Sequence, residues 1–163
     1  MVSIKFKQIC IFILLSTVNI NTYATNIPNP VLSPGDTIVV SLKVLCTPGY
    51  TKTLSAVSKS VSNKVYTAYG MPKGNYTGYC SGQFGCRLDH IISKELGGSN
   101  SPRNLFPMPY TGNCNSRDKD ALENKLHRLV CAKSITLDVA QTAIRYDWRV
   151  AYKNYINIKG CGE

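Results

Sequence analysis

The sequence predicts a small α+β domain braced by disulfides. Three observations carry that expectation: residues 86–131 read as strand, loop, strand and helix; two further stretches repeat apolar residues at three- and four-residue intervals; and six cysteines remain once an N-terminal leader is set aside. A chain of 163 residues has room for one domain and a targeting segment. With 44% apolar and 17% charged residues, neither a disordered tail nor a polytopic membrane protein fits.

Residues 1–24 have the order of a signal peptide. Lys5 and Lys7 form a positive start, the apolar run from Ile9 to Val18 is broken only by Cys10, Ser16 and Thr17, and Thr22-Tyr23-Ala24 offers a small residue for cleavage. The run is short for a bilayer span, which leaves a retained membrane anchor as the alternative. Cleavage removes Lys5, Lys7 and Cys10. The mature chain then carries 17 basic and 9 acidic side chains, a net charge of +8 against +10 for the whole sequence. Such an excess suits nucleic acid, an anionic membrane surface or an acidic polysaccharide. The cysteines that remain are Cys46, Cys80, Cys86, Cys114, Cys131 and Cys161. An even set in an exported chain points to disulfides, and no CxxC pair supports a zinc site instead. The spacing leaves the pairing open, although Cys80 and Cys86 are near enough to close a local loop.

Residues 25–45 form a lead-in rich in Pro, Gly, Asn and Ser, with an alternating stretch at 37–44 that can be one strand. Residues 46–163 make up the domain. Leu54, Val57, Val61, Val65 and Ala68 share one helical face, and Gly70 and Pro72 follow as a helix stop. The glycines between 70 and 86 favour turns. A strand is expected at 86–92, a loop at 93–102 and a second short strand at 104–107, with Pro107 and Pro109 barring a longer one. After Asn113-Cys114-Asn115-Ser116 a helix should run to about Cys131 with Leu122, Leu126, Leu129 and Val130 on one face. Asp118, Asp120 and Glu123 near its start and Arg128 and Lys133 near its end suit the helix dipole. Thr136 caps a last helix, to about residue 152, that carries Val139, Ala140, Ala143, Ile144, Trp148 and Ala151.

His90 and His127 are the two histidines. His90 follows Asp89 at the end of the first central strand. Neighbouring strand residues face opposite ways, so the pair reaches one point only if the strand ends or bends between them. Taken alone, the pair reads equally as a turn-starting Asp beside a packed His. The wider string is more informative: Arg87-Leu88-Asp89-His90-Ile91-Ile92, Glu95-Leu96-Gly97-Gly98-Ser99-Asn100 and Asn104-Leu105-Phe106-Pro107 together resemble the HNH nuclease family. Cys46-Thr47-Pro48-Gly49-Tyr50, Lys119-Asp120-Ala121-Leu122-Glu123, Leu126-His127-Arg128-Leu129-Val130-Cys131, and Ala140-Gln141 with Asp147-Trp148, are similar to a subgroup of small exported HNH proteins. The resemblance spans roughly residues 46–152.

That resemblance implies a ββα-metal finger over about 86–131, packed on additional helices at 54–68 and 136–152. It implies His90 as general base, Asp89 holding a divalent cation, and Asn104 holding the His90 imidazole through its ring N–H. Mg²⁺ is the favoured ion, with Mn²⁺, Zn²⁺ and Ni²⁺ also compatible. The family's third position departs from the common pattern here. Asn115 is the first choice as a second metal ligand, Asn113 and Asp118 are alternatives, and helix capping explains each of them as well. Lys94, Arg103, Arg117 and Lys119 are expected to position phosphates. Glu95 reads as a solvated loop residue, and His127 as a structural residue able to pair with Glu123 one turn earlier. The function implied is a secreted or periplasmic monomeric endonuclease with little sequence preference, acting on DNA, with RNA as a second class of substrate. It would have no stable membrane association. A disulfide-braced basic module that binds nucleic acid or an anionic surface without cleaving is the competing reading.

Overall fold

The computed structural model describes residues 26–71 and 85–161. They form a mixed structure of helices and a small antiparallel sheet, α+β as expected, with two disulfides. The leader at 1–24, the helix stop at Pro72 and the Cys80–Cys86 loop fall outside the described residues.

The lead-in departs from expectation. In place of a strand at 37–44, Thr37 makes an isolated bridge to Gly98, and Ser41 caps a one-turn helix, α1 (Leu42–Leu45), by accepting from the Val44 N–H. The helix foreseen at 54–68 begins later, as α2 (Lys59–Ala68). Ser58 Oγ accepts from the Val61 N–H and so sets the start there, leaving Leu54 and Val57 in the segment before it.

Strand β1 (Cys86–His90) pairs antiparallel with β2 (Leu105–Pro109), Asp89 opposite Phe106 and Leu88 opposite Pro107. The second strand is longer than predicted, because both prolines lie inside it. Ladder bonds use its even-numbered neighbours: Ile91 N–H donates to the Asn104 carbonyl and Tyr110 N–H to the Gly85 carbonyl. Pro107 and Pro109 fall on the alternate positions, which face away from β1 at an edge, so their missing N–H groups cost no ladder bond.

Helix α3 (Ser116–Cys131) matches its predicted span, and α4 (Leu137–Tyr155) starts at the predicted Thr136 cap but runs three residues past 152. It breaks at Asp147, whose non-helical backbone lets its carboxylate accept from the Arg149 N–H and restart the helix. The two helices pack through Leu122, Leu126 and Val130 on α3 and Ala140, Ile144, Trp148 and Ala151 on α4. Phe106 and Met108 of β2, with Ile91, Ile92 and Leu96 of the loop, close the same core. Each of these leucines contributes about 1.5–3 kcal/mol by burial, so the strand–loop–strand unit is anchored to two rigid helices.

Disulfides join Cys46 to Cys131 and Cys114 to Cys161, and Cys86 is disulfide-bonded as well. The first ties the end of α1 to the end of α3; the second ties the start of α3 to the C-terminal segment. They point to an oxidising environment, extracellular or periplasmic. Among the described residues no helix is long and apolar enough to cross a membrane.

Candidate active site

Strand β1 stops at His90, and this ending solves the geometric problem posed by adjacent strand residues. Asp89 and His90 both line one cavity of about 300 Å³. The other walls come from three places: Ser93, Lys94 and Glu95 in the loop, Glu123 on α3, and Thr51 and Lys52 in the turn after Cys46.

The loop between the strands is held from inside by Asn104, which is fully buried. Its Oδ1 accepts from the Ile92 N–H at 3.0 Å, and its Nδ2 donates to the carbonyls of Ile92 and Ser99 at 2.9 Å each. Gly98 fits beneath it because a Cβ there would lie 1.7 Å from the Ile92 carbonyl oxygen. Asn104 therefore spends its amide on backbone and does not hold the His90 ring as the resemblance implied. Asn100 does so. Its Oδ1 lies 2.8 Å from His90 Nε2, while its Nδ2 donates to the Ser55 carbonyl at 2.9 Å. A carbonyl oxygen only accepts, so that bond orients the amide and turns Oδ1 toward the ring. Nε2 is then the protonated nitrogen, and Nδ1 keeps its lone pair. Burial lowers the His90 pKa below the ordinary histidine value, with the Asn100 bond and the Asp89 charge pulling back and Lys119 and Lys94 adding to the fall. The imidazole is neutral at neutral pH and can accept a proton.

Asp89 is 6% exposed and faces cations on both sides. Arg87 donates to its Oδ1 at 3.1 Å and reaches Asp120 with the same guanidinium. Its Oδ2 lies 3.2 Å from Lys119 Nζ as an ion pair but receives no hydrogen bond. Ser93 Oγ and Glu95 Oε2 are likewise buried without a hydrogen-bond partner. Three buried oxygens that accept no hydrogen bond, one of them ion-paired with Lys119, are of the chemical type a hard divalent cation prefers. In donor chemistry, these residues suit such an ion.

Lys119 is 0% exposed, so it is not the surface phosphate contact expected from the sequence. Its ammonium donates to the His90 carbonyl and to Glu123 Oε1, one helical turn on. Burial alone would pull its pKa down, but Asp89 and Glu123 outweigh that and hold it above the ordinary lysine value. Burial pushes the Glu123 carboxyl up to about 7, against the pull of Lys119.

The expected second metal ligand is also corrected. Asn115 caps α3: its Oδ1 accepts from the Arg117 N–H, its Nδ2 donates to the Gly112 carbonyl, and Asp118 answers by accepting from the Asn115 N–H. The capping box engages Asn115 and Asp118, and Asn113 is exposed; none of the three lines the cavity. Lys94 is at the cavity as expected. Arg103 is on the surface beside Asp36, and Arg117 is exposed on the first turn of α3. Glu95 lines the cavity where a solvated loop residue was expected. Thr51, Lys52, Asn100 and Glu123 were missed as site residues. Only Asn100, at the end of the Gly97-Gly98-Ser99-Asn100 string, carried a local signal.

His127 does not pair with Glu123. Its Nε2 lies 3.3 Å from the Leu45 carbonyl oxygen and 3.4 Å from Cys131 Sγ. The donor atoms of Cys46, His127 and Cys131 all lie within 4.8 Å of one another, a cluster that can hold a metal ion. Thiolates are the ligating form, and here the two sulfurs are bonded to each other, so binding there requires reduction first. Comparison with family models, curated proteins and solved structures returns no match for this chain.

Proposed function

We propose that the chain is an exported, metal-dependent endonuclease of the HNH type, with β1, β2 and α3 as its ββα finger and DNA, with RNA as a second class, as its substrate. The observation that carries this reading is His90, held at Nε2 by Asn100 Oδ1, at a cavity that also presents a buried Asp89 oxygen accepting no hydrogen bond. His90 Nδ1 takes a proton from the attacking water, and Asn100 holds the opposite nitrogen so that the lone pair stays aimed. Asp89, with Glu95 and Ser93 near it, would hold the divalent cation. When bound, the ion supplies charge neutralisation at the phosphate and the departing oxygen. Lys94 and Lys52 present cations at the same cavity and position the phosphodiester without reading bases. The net charge of +8 expected for the mature chain supports an anionic polymer as partner.

The test uses the mature, disulfide-intact protein and supercoiled plasmid with Mg²⁺ or Mn²⁺. Nicking that stops on adding a chelator is the expected result. Plasmid binding without nicking in any divalent metal would favour the non-catalytic basic module instead.

A further inference from the structure

Lys119 is left without the role the sequence suggested, and its surroundings suggest another. Its ammonium is enclosed by oxygen: the His90 backbone carbonyl, Asp89 Oδ2 at 3.2 Å and Glu123 Oε1. The side chain is 0% exposed and arises one turn before Glu123 on α3, so backbone geometry delivers it to this spot. Two carboxylates and a carbonyl around one cation are the ligands a hard metal ion would take. An ammonium there offsets the negative charge that Asp89 and Glu123 carry before any ion arrives. Like charges inside protein interact far more strongly than in water, so one fixed positive charge at this distance strongly weakens the attraction for a second cation.

We infer that Lys119 is a built-in counter-cation, which fills the seat made by Asp89, Glu123 and the His90 carbonyl and so sets how tightly the neighbouring site takes a divalent ion. This rests on the reading of the cavity as a divalent-ion site. Lys119 acts through Asp89 and is a positioning residue, not a catalytic one. The arrangement keeps Asp89 in place with the cation absent and keeps the ion's affinity moderate, as an enzyme needs if product is to leave with ease.

The probe is Mn²⁺, measured by calorimetry or by the loss of its free paramagnetic signal, with no nucleic acid present. Lys119→Met keeps an unbranched side chain, one atom shorter, and removes the charge. It is expected to tighten Mn²⁺ binding by about tenfold or more. Glu123→Gln should weaken binding, and Lys119→Met/Glu123→Gln should return it toward wild type, because the two changes oppose each other in charge. A wild type that takes up no Mn²⁺ while Lys119→Met does also supports the inference. Unchanged or weaker binding by Lys119→Met, with native circular dichroism and intact disulfides, overturns it. Should Lys119→Met fail to fold, Glu123→Gln decides: unchanged Mn²⁺ affinity there overturns the inference equally. The nuclease reading fails separately, by Mn²⁺ binding without plasmid nicking.

Discussion

At the scale of single residues, two asparagines have divided the work that the motif assigned to one. Asn104 is buried and ties the loop backbone together; Asn100, bonded to the ring at Nε2, fixes the imidazole. Asn100→Ala should therefore lower the nicking rate about 10- to 100-fold, the usual cost of removing a partner that orients a working histidine, with plasmid binding kept. The wild-type rate should rise with pH and have its acid inflection below the usual histidine value of about 6.5, because burial depresses the His90 pKa and the proposed general base is the neutral ring. A pH–rate profile under single-turnover conditions checks both. The Asp89-His90 pair was legible in the sequence because adjacency and strand ending are local properties. Which amide meets the ring was not, since it depends on how a loop of fourteen-residue span folds back, through the Ser55 carbonyl, onto a distant segment. Lys119 shows the same limit. Its spacing to Glu123 is visible in the sequence, but its complete burial follows from α3 lying against the end of β1.

Among the elements, α3 was the most legible: its apolar stripe, acidic start and capping residues agree, and its span was predicted correctly. The lead-in and β2 were the least. Alternation at 37–44 was overridden by the Ser41 cap, and the prolines of β2 are harmless because, among the described residues, the sheet has two strands and their side carries no ladder. The segment from Cys46 to Ser55 has little regular structure, yet it supplies Thr51, Lys52 and the Ser55 carbonyl to the site. What holds it there is the Cys46–Cys131 disulfide, across 85 residues of sequence. Replacing both cysteines by alanine should cost about 4.6 kcal/mol on the chain-entropy account, read as a lower urea midpoint. It should also slow nicking in molecules that remain folded, because the wall of the cavity loses its tether.

For the whole molecule, the outcome is a small helical frame that presents a strand end and a loop to one cavity. The frame buries Trp148, Phe106, Leu122 and Leu126, while the charged groups Asp89, Lys119 and Glu123 sit where β1 meets that frame. The excess positive charge and the cysteines describe the kind of molecule and its environment; the proposed chemistry rests on the few groups around His90. Side-by-side nicking of supercoiled plasmid by wild type and His90→Ala, from the same purification and at the same Mg²⁺, tests this most directly. A fall of about 10²- to 10⁴-fold with unchanged plasmid affinity is the result expected for loss of a general base. Equal rates in the two proteins would contradict it.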